Sequence, residues 1–189
     1  MVDLYASGRY ATANPDWHEA DAPHKADALA QAIRFAGLAP RTVIDVGCGT
    51  GGVLVRLKAL LDPELPETSY EGWDVAPEAI RRARTREGER LTFVEGEFLA
   101  SERQADLLLA IDVIEHVADD LAFLDGLRSR ADWFLFRIPL DLSALDVVRP
   151  GRLLDARRRF GHLHFYTREM AIDRLIGAGY RIETVRYDR

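Results

Sequence analysis

The stretch Thr42-Val43-Ile44-Asp45-Val46-Gly47-Cys48-Gly49-Thr50-Gly51-Gly52 constrains the fold of this chain more than any other. Its β-branched, apolar start reads as a strand buried on both faces, as in a parallel sheet. The run then breaks into glycines, and Val53, Leu54, Leu57, Leu60 and Leu61 follow at helical spacing. Strand, glycine turn and helix in that order make a cradle for a ligand. Glycine lets the backbone come close to a bound group, and the first turn of the new helix carries N–H groups with no partner of their own.

Two ligand classes fit the cradle. Gly47-x-Gly49-x-x-Gly52 satisfies the dinucleotide fingerprint, which an NAD-dependent oxidoreductase would carry. The same glycines fit acidic-x-Gly-x-Gly-x-Gly, with Asp45 two residues ahead of the first. A carboxylate there repels a pyrophosphate and attracts a cation. S-adenosylmethionine offers a sulfonium and an ammonium to the acid and a carboxylate to the helix end. Over Val43 to Gly51 the sequence resembles motif I of the class I S-adenosylmethionine-dependent methyltransferases. That resemblance implies a doubly wound, Rossmann-like α/β sheet of strand order 3-2-1-4-5-7-6. It also implies S-adenosyl-L-methionine as cofactor and S-adenosyl-L-homocysteine as product.

Composition narrows the rest. At 189 residues, with 48% hydrophobic and 30% charged residues, the chain reads as one domain able to build a substantial core. Within it, residues 1–37 read as an N-terminal cap and 140–166 as a lid or insertion. The 25 Lys+Arg against 31 Asp+Glu leave a net charge of −6, which argues against broad nucleic-acid binding. The apolar runs are strand-length and the start lacks a signal-peptide core, so the expectation is a cytoplasmic protein with no membrane span. Cys48 is the only cysteine. That excludes an internal disulfide and a cysteine-based metal cluster, and between two glycines Cys48 reads as packing rather than as a nucleophile.

Tyr70 to Asp74 reads as a second strand, and Pro77 opens a helix running to about Arg86. Asp74 then falls at a strand's carboxyl end, where open α/β sheets bind ligands, and it can accept both ribose hydroxyl protons. The segment from Gly72 to Ile80 resembles the family's ribose-binding segment. A third strand spans Leu91 to Phe98, with Glu95 turned to solvent. The resemblance gives Glu97 to the adenine amino group and Phe98 to the ring face. The fourth strand, Ala105 to Asp112, runs into Ile114-Glu115-His116-Val117, like the family's fourth motif. The resemblance thus implies a cofactor set of Asp45, Gly47, Cys48, Gly49, Asp74, Val75, Glu97, Phe98 and Asp112. The Pro-Pro-aromatic signature of amide and nucleobase N-methyltransferases is absent from this motif. A small-molecule acceptor, methylated on oxygen or nitrogen, is the expectation.

Asp119-Asp120 opens a helix with Leu121, Leu124 and Leu127 toward the sheet, and Trp133 to Pro139 is a fifth strand. From Pro139 to Thr167 no strand appears, a length typical of a lid or a helical insertion. Arg149, Arg152, Arg157, Arg158 and Arg159 lie in it. They read either as a clamp for an anionic acceptor, with Arg149 and Arg152 foremost, or as a solvated helix face. His162 and His164 alternate as on an extended segment, so both are expected to face one cavity. A metal pair would need carboxylate partners that the sequence does not place, and no metal is expected. His116, His162 and His164 are the candidate general bases, since histidine titrates near neutrality. At the N-terminus, Tyr5, Tyr10, Trp17, His24 and Lys25 either cover the acceptor mouth, as the resemblance implies, or only pin the terminus.

Thr167 caps a last helix, and Tyr180 to Tyr187 reads as a sixth strand. No seventh strand follows, so the expectation is an open sheet edge completed by a partner or homo-oligomer, or a shortened chain. Two other functional readings stand beside methyl transfer. One is the oxidoreductase, and the other is a non-catalytic S-adenosylmethionine-binding subunit.

Overall fold

The computed structural model describes residues 14, 16–17, 19–149 and 151–187. Five strands, β1 (Thr42–Val46), β2 (Ser69–Asp74), β3 (Leu91–Glu95), β4 (Ala105–Ile111) and β5 (Ala131–Arg137), pair in parallel in the order β3-β2-β1-β4-β5. Parallel neighbours need crossovers. Helix α1 (Ala22–Phe35) leads into β1, and α2 (Gly52–Leu61), α3 (Pro77–Ala83) and α4 (Asp120–Arg128) supply three of them. Between β3 and β4 the crossover is only a 3-10 turn, Phe98–Ala100.

Strand alternation sorts the core into two faces. Val43, Leu107 and Leu109 pack with Leu29 and Ile33 of α1, Leu54, Leu57 and Leu61 of α2 and Ile80 of α3. Ile44, Val46 and Leu108 pack on the other face with Phe98 and Leu127. The two faces make this Rossmann-like α/β, as the glycine cradle and the resemblance together led us to expect. Strand order reverses between β1 and β4, so the loops leaving those two strands part in opposite directions and open a crevice. That crevice is the candidate site.

Local sequence explains most boundaries. Pro23 and Pro77 sit in the first turns of α1 and α3, where a missing N–H costs nothing. Asp119 caps α4 by accepting from Ala122 N at 3.0 Å, and Thr167 caps α7 (Arg168–Gly177) by accepting from Met170 N at 3.3 Å. The insertion folds as two helices, α5 (Ala144–Val148) and α6 (Gly151–Arg159). Asp120, 2% exposed, receives Tyr166 Oη and Arg174 Nε at 2.7 Å each, which ties the insertion and α7 to the start of α4.

Three expectations need correction. Leu121 is 40% exposed and turns away from the sheet, whereas Leu124 and Leu127 are fully buried. The strand expected to reach Phe98 ends at Glu95: Gly96 N still donates to Asp74 O at 2.9 Å, but Gly96 adopts φ 152° and a 3-10 turn starts at Phe98. Tyr180 to Tyr187 carries no strand pairing. In the order the resemblance implies, a sixth strand takes its ladder from the seventh rather than from β5. Among the described residues no strand lies between them. Side chains anchor the segment instead: Tyr180 meets Phe134 and Phe136 edge-on at 5.0 Å, and its hydroxyl donates to Leu124 O at 2.7 Å. A strand drawn from residues 1–20 to fill the gap lies largely outside the described residues.

Candidate active site

The crevice is a cavity of about 640 Å³ at the carboxyl ends of β1, β2 and β4, within the usual range for cofactor sites. Its floor is the glycine turn. Gly47 has φ 80°, and a Cβ there would lie 2.4 Å from Val113 Cγ2. Gly51 has φ 79°, and a Cβ would meet the Phe93 ring at 2.4 Å. Both positions therefore exclude side chains by conformation and by space. Gly51 also provides no side-chain cap for α2, so the helix presents its first N–H groups, at Gly52 and Val53, to the cavity. The turn itself is fixed by Gly47 N and Cys48 N, which both donate to Trp73 O.

Asp74 closes the side of the cradle. Its two carboxylate oxygens accept from Gly49 N and Ala76 N, each at 2.8 Å. The carboxylate has about four acceptor sites, so capacity remains for a ligand donor. Burial raises its pKa and the backbone donors Ala76, Gly49 and Val75 oppose the rise. Asp45, 2% exposed, turns toward the same space with Oδ1 taking no hydrogen bond. Burial, reinforced by the Asp74 charge and countered by Lys25, pushes it up to about 7. Cys48 is buried, and burial raises its thiol well above its ordinary value, which fits packing. Val75, Glu97 and Phe98 also line the cavity, with Phe98 edge-on to Trp73 at 5.7 Å.

The other half of the cavity is a side-chain network. Asp112 follows β4 in a left-handed conformation, φ 55°. It holds Lys25 Nζ of α1 at 2.8 Å and Arg137 of β5 at 2.5 Å. A carboxylate between two cations is satisfied within the protein. Next comes a 3-10 turn, Ile114–His116. Burial, then the Asp112 charge, pushes Glu115 up to about 8, while burial, then the neighbouring His162, brings His116 down to about 4. Both side chains are therefore neutral at neutral pH, and their 3.7 Å approach is not a salt bridge.

The two insertion histidines part company. His162 lines the cavity with Nδ1 2.7 Å from Asp141 Oδ2. His164 does not line it, and its Nε2 lies 2.8 Å from Val117 O, a clip between the insertion and the turn after β4. Alternation put both on one side of an extended segment; the backbone bends there because Leu163 N and His164 N both donate to Glu115 O. The N-terminal set divides as well. Trp17 and Lys25 line the cavity, His24 is exposed, and Tyr5 and Tyr10 lie outside the described residues. Arg149 and Arg152 do not line it; both are exposed, and Arg152 pairs with Asp146 at 3.1 Å. Helix α6 buries none of its described side chains, as a solvated arginine face should.

Sequence reasoning passed over Glu115, Arg137 and Asp141. Arg137 left a trace, a lone cation directly after the apolar run Trp133 to Phe136 and beside Ile111. Glu115 lay inside the Ile114-Glu115-His116-Val117 stretch likened to the family's fourth motif, but the motif by itself assigns that carboxylate no role.

A methyltransferase-domain family model matches residues 17–185. The trans-aconitate 2-methyltransferase of Mycobacterium sp. (strain KMS) is 26% identical over 146 residues, covering 75% of this chain and 56% of that protein. The chain thus spans about half the length of that relative. Among solved structures, a possible histamine N-methyltransferase from Thermotoga maritima superposes with a TM-score of 0.66 at 17% identity, over 95% of this chain and 82% of that one. The magnesium protoporphyrin IX methyltransferase of Synechocystis PCC 6803 with bound S-adenosylhomocysteine gives 0.63 at 19%, over 83% and 73%. At those identities the superpositions speak to the fold, and the family match speaks to descent. A glycine cradle flanked by two strand-end acids, in a chain matched by that model along nearly all of its length, belongs to the methyltransferase domain family.

Proposed function

We propose that this chain binds S-adenosylmethionine in the glycine cradle and transfers its methyl group to an oxygen or nitrogen of a small-molecule acceptor. One observation carries the reading: Asp45 is buried at the end of β1 with an oxygen that takes no hydrogen bond, facing the cavity. A group so placed needs a cation or donor from a ligand, and a pyrophosphate would aggravate its charge. That preference disfavours an NAD-dependent oxidoreductase. In this reading Asp74 takes the ribose hydroxyls, Glu97 and Phe98 meet the adenine, and the start of α2 receives the ligand's carboxylate.

The chemistry resides in the sulfonium, which is already an activated methyl donor. The chain's contribution is alignment and exclusion of water by Trp17, α1 and the insertion. His162 is the proton acceptor when the acceptor atom arrives protonated. It lines the cavity, and its ring is oriented by Asp141. The matched relative is named for trans-aconitate, and Lys25 and Arg137 at the mouth suit an anionic acceptor of similar size.

Calorimetric titration with S-adenosylmethionine, S-adenosylhomocysteine and NAD tests the assignment. Binding of the first two and not the third is expected, and the reverse would overturn it. Methyl transfer to an acceptor library then separates an enzyme from a cofactor-binding subunit.

A further inference from the structure

The cavity holds a second set of donors outside the glycine cradle; with an ion bound there, His162 coordinates through the nitrogen that would otherwise accept a proton. Glu115 is 1% exposed, lines the cavity, and neither of its carboxylate oxygens takes a hydrogen bond. Buried polar groups in that state are rare and ask for a partner. Donor atoms of Glu115, His116 and His162 all lie within 4.8 Å of one another. The two imidazoles meet edge to face, with centroids 4.9 Å apart. His162 donates from Nδ1 to Asp141 Oδ2 at 2.7 Å, so its Nε2 lone pair is the one left to coordinate. A carboxylate behind an imidazole in this way is the usual support for a metal-binding histidine.

We propose that Glu115, His116 and His162 form a binding site for a divalent transition-metal ion, with Asp141 orienting His162 from behind. Two imidazole nitrogens and one carboxylate oxygen suit zinc, manganese or iron(II) better than magnesium or calcium, whose sites are built mostly of oxygen. Metal–ligand bonds of about 2.0–2.2 Å bring donor atoms closer together than 4.8 Å, so loading draws the His162 segment inward. The segment is already held nearby. Leu163 N and His164 N donate to Glu115 O at 2.7 and 3.2 Å, and the His164 ring clips to Val117 O. Three protein ligands leave positions open toward the cavity, where an acceptor carboxylate or hydroxyl oxygen fits. That last step rests on the methyltransferase reading; the ion site does not.

The test uses the full chain, stripped with a chelator, desalted and titrated calorimetrically with Zn²⁺ and, separately, Mn²⁺. A single ion per chain is expected. Glu115→Gln and His162→Ala should each weaken binding at least about a hundredfold, and Asp141→Asn by about tenfold or more. S-adenosylhomocysteine affinity, measured in parallel, should stay unchanged in all three. No saturable ion binding, or binding that survives both Glu115→Gln and His162→Ala, would overturn the site. Should the buried Glu115→Gln fail to fold by circular dichroism, His162→Ala, on the insertion, decides by itself. Ion binding without S-adenosylhomocysteine binding would sink the methyltransferase reading while leaving the site intact.

Discussion

The two halves of the cavity are built in different ways. The cradle at β1 and β2 is made of backbone: two glycines that exclude side chains, amides that donate to Trp73 O, and Asp74 gripping Gly49 N and Ala76 N. The mouth at β4 and β5 is made of side chains from α1, β5, the turn after β4 and the insertion, meeting at Asp112 and Glu115. Backbone geometry of the first kind is written in a short contiguous stretch and suits a fixed ligand. Side chains gathered from distant segments can change without disturbing the sheet, which suits a half that must select an acceptor.

The sharpest break in this comparison is Gly47→Ala. A Cβ 2.4 Å from Val113, on a residue with φ 80°, combines overpacking with left-handed strain, together about 2–5 kcal/mol. We expect S-adenosylhomocysteine affinity to fall at least about a hundredfold and the melting temperature to drop; near-normal binding would show that the cradle is not built by the backbone. Asp74→Ala removes a charged acceptor for two hydroxyls and should cost about 1.5–3 kcal/mol of cofactor affinity, at least about tenfold by calorimetry. Unchanged affinity would remove Asp74 from the ribose.

A third experiment follows affinity for S-adenosylmethionine against pH. Asp45 titrates at about 7, and a cationic ligand favours its ionised form. Affinity should therefore rise as pH increases through 7 and fall as Asp45 protonates below it. Asp45→Asn should flatten the profile as well as weaken binding, and a profile that stays steep would assign the dependence elsewhere.

The mouth predicts the reverse pattern. His162→Ala should lower turnover while sparing cofactor affinity. His164→Ala should lower stability by about 1 kcal/mol through loss of its bond to Val117 O, with a smaller effect on turnover. Equal loss of turnover in both variants would erase the distinction between lining residue and clip. The smallest effect, about 1 kcal/mol of stability without a change in cofactor affinity, belongs to Asp119→Ala at the cap of α4.

Much of this was legible beforehand. The five strands fall within a few residues of their expected places, because short runs rich in apolar, β-branched and aromatic residues mark them and glycine and proline punctuate the gaps. The positions of Asp45 and Asp74 at strand ends followed from the same pattern. Tyr180 to Tyr187 misled because alternation reports a capacity for strand, while a ladder needs a neighbour to bond with. Arg149 and Arg152 carried two readings, an acceptor clamp or a solvated face, and charge alone does not choose between them; both are exposed. His164 misled because period-two alternation assumes a straight backbone, and the donors to Glu115 O bend it.

By itself the sequence determined the parallel sheet, the glycine cradle and the two acids that face it, since each depends on residues close together in the chain and on the periods of strand and helix. Only the tertiary structure decided that Lys25 and Arg137 neutralise Asp112, that His162 enters the cavity while His164 does not, and that Glu115 lies buried beside two imidazoles. Those contacts join segments far apart in sequence, and their geometry follows from how the elements pack rather than from any local preference.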